Sequence, residues 1–201
     1  MRFLVPIFVR FLKPALSAAL LSLTACASVN PAGLATLAAL DPLSADPAQI
    51  AVAARLPQAL KLRTGDLLMV IKTEGAEGPD KIEETFYLDI ADAAPGGAGV
   101  IIPEAGERLQ TARIAPADIA RLQKAQSKAR ALAAEGKNRN KGSLSVAAKG
   151  GCKSADLGSG PLIMNLFMKT GDASGYYPVV SNFDLRKQFG DDLLAKLELC
   201  R

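Results

Sequence analysis

The residues with the most specific chemistry in this 201-residue chain are its three cysteines, Cys26, Cys152 and Cys200. A thiol can act as a nucleophile, a metal ligand or a disulfide partner, and its surroundings decide which. Cys26 ends the tetrapeptide Leu23-Thr24-Ala25-Cys26, in which one branched apolar residue and two small residues stand before the thiol. The other two cysteines lie in the second half of the chain, so the N-terminal segment has to be interpreted first.

The segment before Cys26 has the layout of a secretory signal peptide. Arg2, Arg10 and Lys13 form a positive leader without acidic residues, and the apolar stretch Ala15 to Leu23 follows. Signal peptides place a charged leader, an apolar run and a cleavage site with small residues in this order. An uncleaved membrane anchor is the alternative; it needs about 20 apolar residues, and Arg10, Lys13 and Pro14 interrupt this run.

Leu23-Thr24-Ala25-Cys26 resembles the lipobox of bacterial lipoproteins, and the resemblance covers the first 26 residues. It implies cleavage before Cys26 and several acyl chains on that cysteine. Several acyl chains together anchor a protein stably to a membrane. The residue after the cysteine is Ala27 and not an aspartate. In Gram-negative members this implies attachment to the outer membrane at its periplasmic face, and the inner membrane is the alternative.

Three segments are predicted along the chain: a signal peptide over 1–25, a lipid-anchored Ala/Pro-rich tether over 26–56, and one α+β domain over 57–201. The tether is predicted to hold one or two short helices. Asp46-Pro47 predicts one of them, reaching Arg55, because aspartate caps helices and proline fits the first helical position; a solvent-exposed connector is the alternative. Cleavage would leave 176 residues, enough for one domain with a core. Without the three leader cations, the 24 basic and 20 acidic residues become 21 and 20.

Cys152 and Cys200 are predicted to form a disulfide, since export would place them in an oxidising compartment. The bond would tie a strand end or turn to the C-terminus. It would close a loop of about 49 residues and stabilise the fold by roughly 4 kcal/mol on the chain-entropy account. A redox-active pair is the alternative, but the chain has no Cys-x-x-Cys spacing.

The chain contains no histidine, which excludes Ser-His-Asp and Cys-His catalysis and removes the commonest zinc ligand of enzymes. The segment Gly150 to Ser154 lacks the glycine that a phosphate-binding loop has before its lysine. The pairs Glu83-Glu84 and Asp191-Asp192 are adjacent in sequence, so their carboxylates diverge on a strand or a helix. The remaining enzymatic alternative is a nucleophilic Ser159 with Lys153 as its general base. We therefore predict no catalytic residue, metal site or cofactor.

The pattern of apolar residues predicts a mostly antiparallel sheet of about five or six strands, with one long helix packed on it and a short C-terminal helical segment. The helix is predicted over Ala117–Glu135, because apolar residues recur on one face between Pro116 and Gly136. Leu67–Ile71 and Ile82–Ile90 are predicted to form a hairpin. The other predicted segments are an edge strand at Val100–Ile102, strands over Arg108–Ile114, Ser143–Lys149, Pro161–Lys169 and Tyr176–Val180, and a helical segment capped by Asn182 or Asp184.

The stretch from Arg121 to Lys153 contains nine basic residues and a single acidic one, Glu135. Such a stretch could contact anionic lipid headgroups, lipopolysaccharide phosphates or an acidic envelope protein. A solvated helix face followed by a basic turn is the alternative interpretation. Nucleic acid is not expected, because the domain is exported and no aromatic residues interleave the cations. The residues that could make the anionic contact are Arg121, Lys124, Lys128, Arg130, Lys137, Arg139 and Lys141.

These observations favour a membrane-anchored lipoprotein with a non-enzymatic structural or interaction role in the cell envelope. A lipid- or small-molecule-binding lipoprotein is the first alternative, and it would require an apolar cavity between the sheet and the Ala117–Glu135 helix. An envelope enzyme is the second alternative, and it would require converging carboxylates or a Ser/Lys pair in a cleft. Beyond the lipobox, the mature region resembles no family that its motifs identify.

Overall fold

A computed structural model of the chain describes residues 44–73, 78–93, 101–135, 142–171 and 175–201. Two α-helices lie in these ranges, α1 (Ile119–Ala134) and α2 (Leu185–Ala195). The strands are β1 (Ala51–Pro57), β2 (Leu60–Lys61), β3 (Leu67–Thr73), β4 (Glu83–Asp92), β5 (Glu107–Ile114), β6 (Gly142–Ala148), β7 (Cys152–Lys153), β8 (Ile163–Lys169), β9 (Tyr177–Asp184) and β10 (Glu198–Leu199).

Seven strands form one curled sheet in the order β6-β3-β4-β5-β1-β8-β9, and every neighbouring pair is antiparallel. A second sheet has the order β10-β7-β2. The α+β class and the antiparallel sheet are therefore as predicted, but the sheet has more strands than the five or six expected. The predicted hairpin of Leu67–Ile71 with Ile82–Ile90 is confirmed, since Met69 pairs with Phe86 in β3 and β4.

The main core lies between one face of the large sheet and α1. Alternation along each strand directs Leu67, Met69, Phe86 and Leu88 to this face, and all are almost fully buried. The helix contributes the predicted apolar stripe, since Leu122, Ala125, Ala129 and Leu132 are all buried in the same cluster. A 3-10 turn over Pro116–Asp118 precedes α1, which shortens the predicted helix by two residues at its start.

The prediction of a helix from Asp46 to Arg55 is wrong. Only a 3-10 turn over Pro47–Gln49 forms, with Asp46 accepting a hydrogen bond from the Ala48 amide, and β1 begins at Ala51. β1 pairs with both β5 and β8, so residues 51–56 belong to the sheet. Burial on both faces explains the error: Ala51, Val52, Ala53 and Ala54 are at most 2% exposed, and tertiary packing overrides the local helix signal.

The opposite face of the sheet carries a smaller cluster that covers the middle of β1. Ala53 and Leu109 pack there against Ile101, with Phe167 and Tyr176 at its margin. Ile101 makes a single bridge where the sequence predicted an edge strand over Val100–Ile102, and Val100 lies outside the described residues. The strand predicted over Pro161–Lys169 is present as β8, an inner strand with β1 on one side and β9 on the other.

Candidate functional site

The sequence-predicted site residues fall into three groups. Cys26, Lys137, Arg139 and Lys141 lie outside the described residues. Cys152 and Cys200 form a disulfide with their Cα atoms 5.1 Å apart. The remaining cations, Arg121, Lys124, Lys128 and Arg130, all lie on α1.

The disulfide joins two short strands of the second sheet. Cys152 opens β7 and is 1% exposed, and Cys200 directly follows β10. β7 and β10 run parallel, with Cys152 opposite Glu198, and the Cys200 amide donates to the Lys153 carbonyl at 2.9 Å. The bond thus connects a strand to the C-terminal end, as predicted, and holds the end of the chain after α2 to the body of the domain.

Arg121 is engaged within the fold. Its guanidinium donates to Glu84 Oε2 at 2.9 Å and to the Thr85 carbonyl at 2.9 Å, and it also forms an ion pair with Asp118. The guanidinium carbon lies 4.2 Å from the centre of the Phe86 ring. Since its donors point to β4, Arg121 fastens the start of α1 to the sheet.

The other three cations of α1 differ in their partners. Lys128 Nζ donates to the Lys81 carbonyl at 2.8 Å, and Arg130 donates to the Ser127 hydroxyl at 3.1 Å. The side chain of Lys124 is exposed and forms no hydrogen bond or ion pair in the described part of the chain. The sequence alone groups these four cations as part of one surface for contact with anions. Two of them, Arg121 and Lys128, instead bind β4 and the segment before it.

A feature that the sequence analysis missed is the open edge of the large sheet at β6. Within the described residues, β6 pairs only with β3, from Leu67 opposite Ala148 to Thr73 opposite Gly142. Its seven residues, Gly142–Ala148, include neither a charge nor a proline. Ser145, Ala147 and Ala148 are exposed, and Val146 is half-buried against the core. The edge therefore presents backbone donors and acceptors without a described partner strand.

Cations stand near both ends of this edge. Lys149 follows β6 directly, is exposed, and has its Nζ 5.2 Å from the centre of the Tyr87 ring. Lys72 on β3 pairs with Ser143 at the other end and is also exposed. The pKa of Glu83, opposite Lys72 on β4, is lowered mainly by a hydrogen bond from Lys81 and only weakly by the charge of Lys72.

The other edge of the sheet, β9, is irregular. Its pairing with β8 shifts register twice, between Met164 and Leu166 and again between Leu166 and Phe167. Pro178 lacks an amide proton, and Asn182 has a φ of 54°, which turns the strand out of extended geometry. Proline and bulges are the usual means by which an edge strand avoids pairing with another chain. The two edges of this sheet therefore differ in their capacity to accept a further strand.

Comparison of the chain with protein-family models, with curated proteins and with solved structures found no match. In the described ranges, no three Cys, Asp or Glu side chains lie close enough together to hold a metal ion. Neither of the described helices is long and apolar enough to cross a membrane.

Proposed function

We propose that this chain is a lipoprotein of the bacterial cell envelope, anchored through lipid on Cys26, whose folded domain has a structural or interaction role. The observation that carries the proposal is the motif Leu23-Thr24-Ala25-Cys26 behind a cationic leader and an apolar run. Ala27 after the cysteine supports the periplasmic face of the outer membrane.

The Cys152–Cys200 disulfide supports the export step of this proposal. Disulfides persist in the periplasm and are rare in the reducing cytosol. The bond joins β7 to the end of β10 and so connects parts of the chain 48 residues apart. A domain that contains such a bond fits an oxidising compartment.

The packing of the core favours an interaction role over the binding of a ligand between sheet and helix. That alternative requires an apolar cavity under α1. Instead, Leu122 of α1, Met69 of β3 and Phe86 of β4 are each fully buried in one cluster at this place. The surface of the domain, including the open edge at β6, is then where partners would be met.

The test of the anchor is metabolic labelling with radioactive palmitate in a bacterial host. We expect the wild-type protein to incorporate label and to fractionate with membranes, and Cys26→Ser to do neither. The double variant Cys152→Ser/Cys200→Ser is the matched control and should retain the label, because it keeps the lipobox thiol. Absence of label in the wild type, or its persistence in Cys26→Ser, would refute the proposal.

A further inference from the structure

The open edge at β6 is suited to the addition of a strand. In an antiparallel sheet, successive residues of an edge strand direct their backbone N–H and C=O groups alternately to the neighbouring strand and away from it. β6 therefore uses half of these groups on β3 and directs the others outwards. At about 3.3 Å per residue, its seven residues offer about 23 Å of pairing length.

Nothing in the composition of β6 opposes such pairing. Native edge strands are usually protected by charged residues, proline or bulges. β9 has such features, in Pro178 and its two register shifts, whereas β6 pairs with β3 in unbroken register. The exposed side chains Ser145 and Ala147 are small, so an incoming backbone can approach without displacing a bulky group. Of the two edge strands of the described sheet, β6 is therefore the one suited to pair with a further strand.

The charges around β6 specify the kind of partner. Lys72 and Lys149 stand near opposite ends of the strand, and β6 between them is uncharged. A second copy pairing about a twofold axis would bring the Lys149 of each copy towards the opposite end of the other strand, near Lys72, which is unfavourable. An added strand with acidic residues at both ends would instead place unlike charges together.

We propose that β6 binds an extended segment of another polypeptide by strand addition, and that this segment has an uncharged, β-favouring centre flanked by acidic residues. The inference deepens the proposed interaction role and rests on it in assigning the partner to the envelope. The backbone of the partner supplies the affinity, and the acidic ends supply the selectivity.

The experiment measures binding of synthetic peptides to the full-length protein, purified in detergent micelles whether or not it carries lipid. The probe is a labelled peptide of about nine residues, alternating Val and Thr between two terminal Glu residues, which spans β6. We expect saturable binding by fluorescence anisotropy. Amide hydrogen exchange of residues 142–148 should slow on binding, and exchange in β9 should not change.

Two peptide controls separate backbone pairing from charge. N-methyl groups on two adjacent central residues remove an N–H from each edge of the peptide, and we expect them to weaken binding about tenfold or more. The same two groups on the terminal glutamates should be tolerated. A peptide with terminal Lys should bind more weakly than the Glu peptide, and raising the salt concentration should reduce that difference.

Variants of the protein test the two cations. Lys72→Gln/Lys149→Gln should weaken binding of the Glu peptide roughly threefold to tenfold, as expected for two exposed ion pairs. Lys124→Gln on α1 is the matched control and should not change it. Equal binding of the methylated and unmethylated peptides would overturn the proposal. Slower amide hydrogen exchange in β9 in place of β6 would also overturn it. A stable dimer that the peptide does not dissociate would also overturn it, because a second copy would then occupy the edge.

These outcomes are independent of the labelling experiment. Loss of palmitate incorporation would remove the envelope anchor, and peptide binding at β6 would be unaffected. Failure of peptide binding would leave the lipid on Cys26 in place.

Discussion

The guanidinium of Arg121 lies over the ring of Phe86, with 4.2 Å between its central carbon and the ring centre. It also donates to Glu84 and to the Thr85 carbonyl, so one side chain joins α1 to three consecutive residues of β4. The sequence alone groups Arg121 with the cations that could contact anionic groups outside the domain. In the structure it acts within the fold, and its effect on stability can be separated from any effect on binding.

Replacing Arg121 by Gln should lower the free energy of unfolding by about 1 to 2 kcal/mol, the sum of a cation–π contact with the buried Phe86 ring and partly exposed ion pairs. Lys124→Gln, on the same helix face, should change it by less than about 0.5 kcal/mol. Urea unfolding followed by circular dichroism measures both. Equal effects of the two substitutions would contradict the structural role of Arg121.

Replacing Gln110 by Leu should destabilise the domain more strongly. Gln110 is 2% exposed; its Oε1 accepts from the Leu62 amide at 2.7 Å and its Nε2 donates to the Leu62 carbonyl at 3.1 Å. Leucine has similar volume but leaves both backbone groups unsatisfied, which costs about 2 to 4 kcal/mol. Gln123→Leu, at an exposed position of α1, is the control for the same substitution in urea unfolding. A loss below about 1 kcal/mol would mean that water replaces the amide.

Removing the disulfide should also reduce stability. The double variant Cys152→Ala/Cys200→Ala should lose about 2 to 4 kcal/mol of unfolding free energy, because the unfolded chain regains the entropy of a closed loop. Addition of reductant should lower the stability of the wild type and leave the variant unchanged. If reductant lowers the stability of the wild type and of the variant equally, its effect does not come from breaking the Cys152–Cys200 bond.

Asp184 should make the stability of the domain depend on pH. Burial opposes its ionised form, but backbone hydrogen bonds from Leu162, Lys187 and Arg186 outweigh it, so its pKa lies below the usual value. A carboxyl whose pKa is lowered on folding stabilises the folded state above its unfolded pKa, and this stabilisation is lost as the pH falls through the folded pKa. Relative to Asp184→Asn, which keeps a capping oxygen, the wild type should be more stable at pH 6, and this advantage should be smaller at pH 3, below the usual pKa of an aspartate.

Thermal unfolding at the two pH values measures this difference. Asp184→Ala removes the cap of α2 and should lower the melting temperature by roughly 2 to 4 °C at pH 6. An advantage over Asp184→Asn that is the same at pH 3 and pH 6 would show that the charge of Asp184 does not contribute.

Local patterns predicted the regular elements well where one face alone is buried. α1 carries an apolar stripe at helical spacing and β4 alternates between apolar and polar residues, and both elements lie where expected. β1 was mistaken for a helix because its alanines are buried on both faces and show no alternation. Only the pairing with β5 and β8, far away in sequence, makes this segment a strand.

The sequence by itself determined the features that local chemistry encodes: the lipobox resemblance at Cys26, the absence of histidine, the Cys152 and Cys200 pair, and a helix cap at Asn182 or Asp184. Tertiary structure decided which groups face each other. It placed Arg121 against Phe86 and left β6 at the edge of the sheet, because strand order is set by long-range pairing and no local pattern distinguishes an edge strand from an inner one. The interaction surface proposed at β6 therefore became visible only in the folded domain.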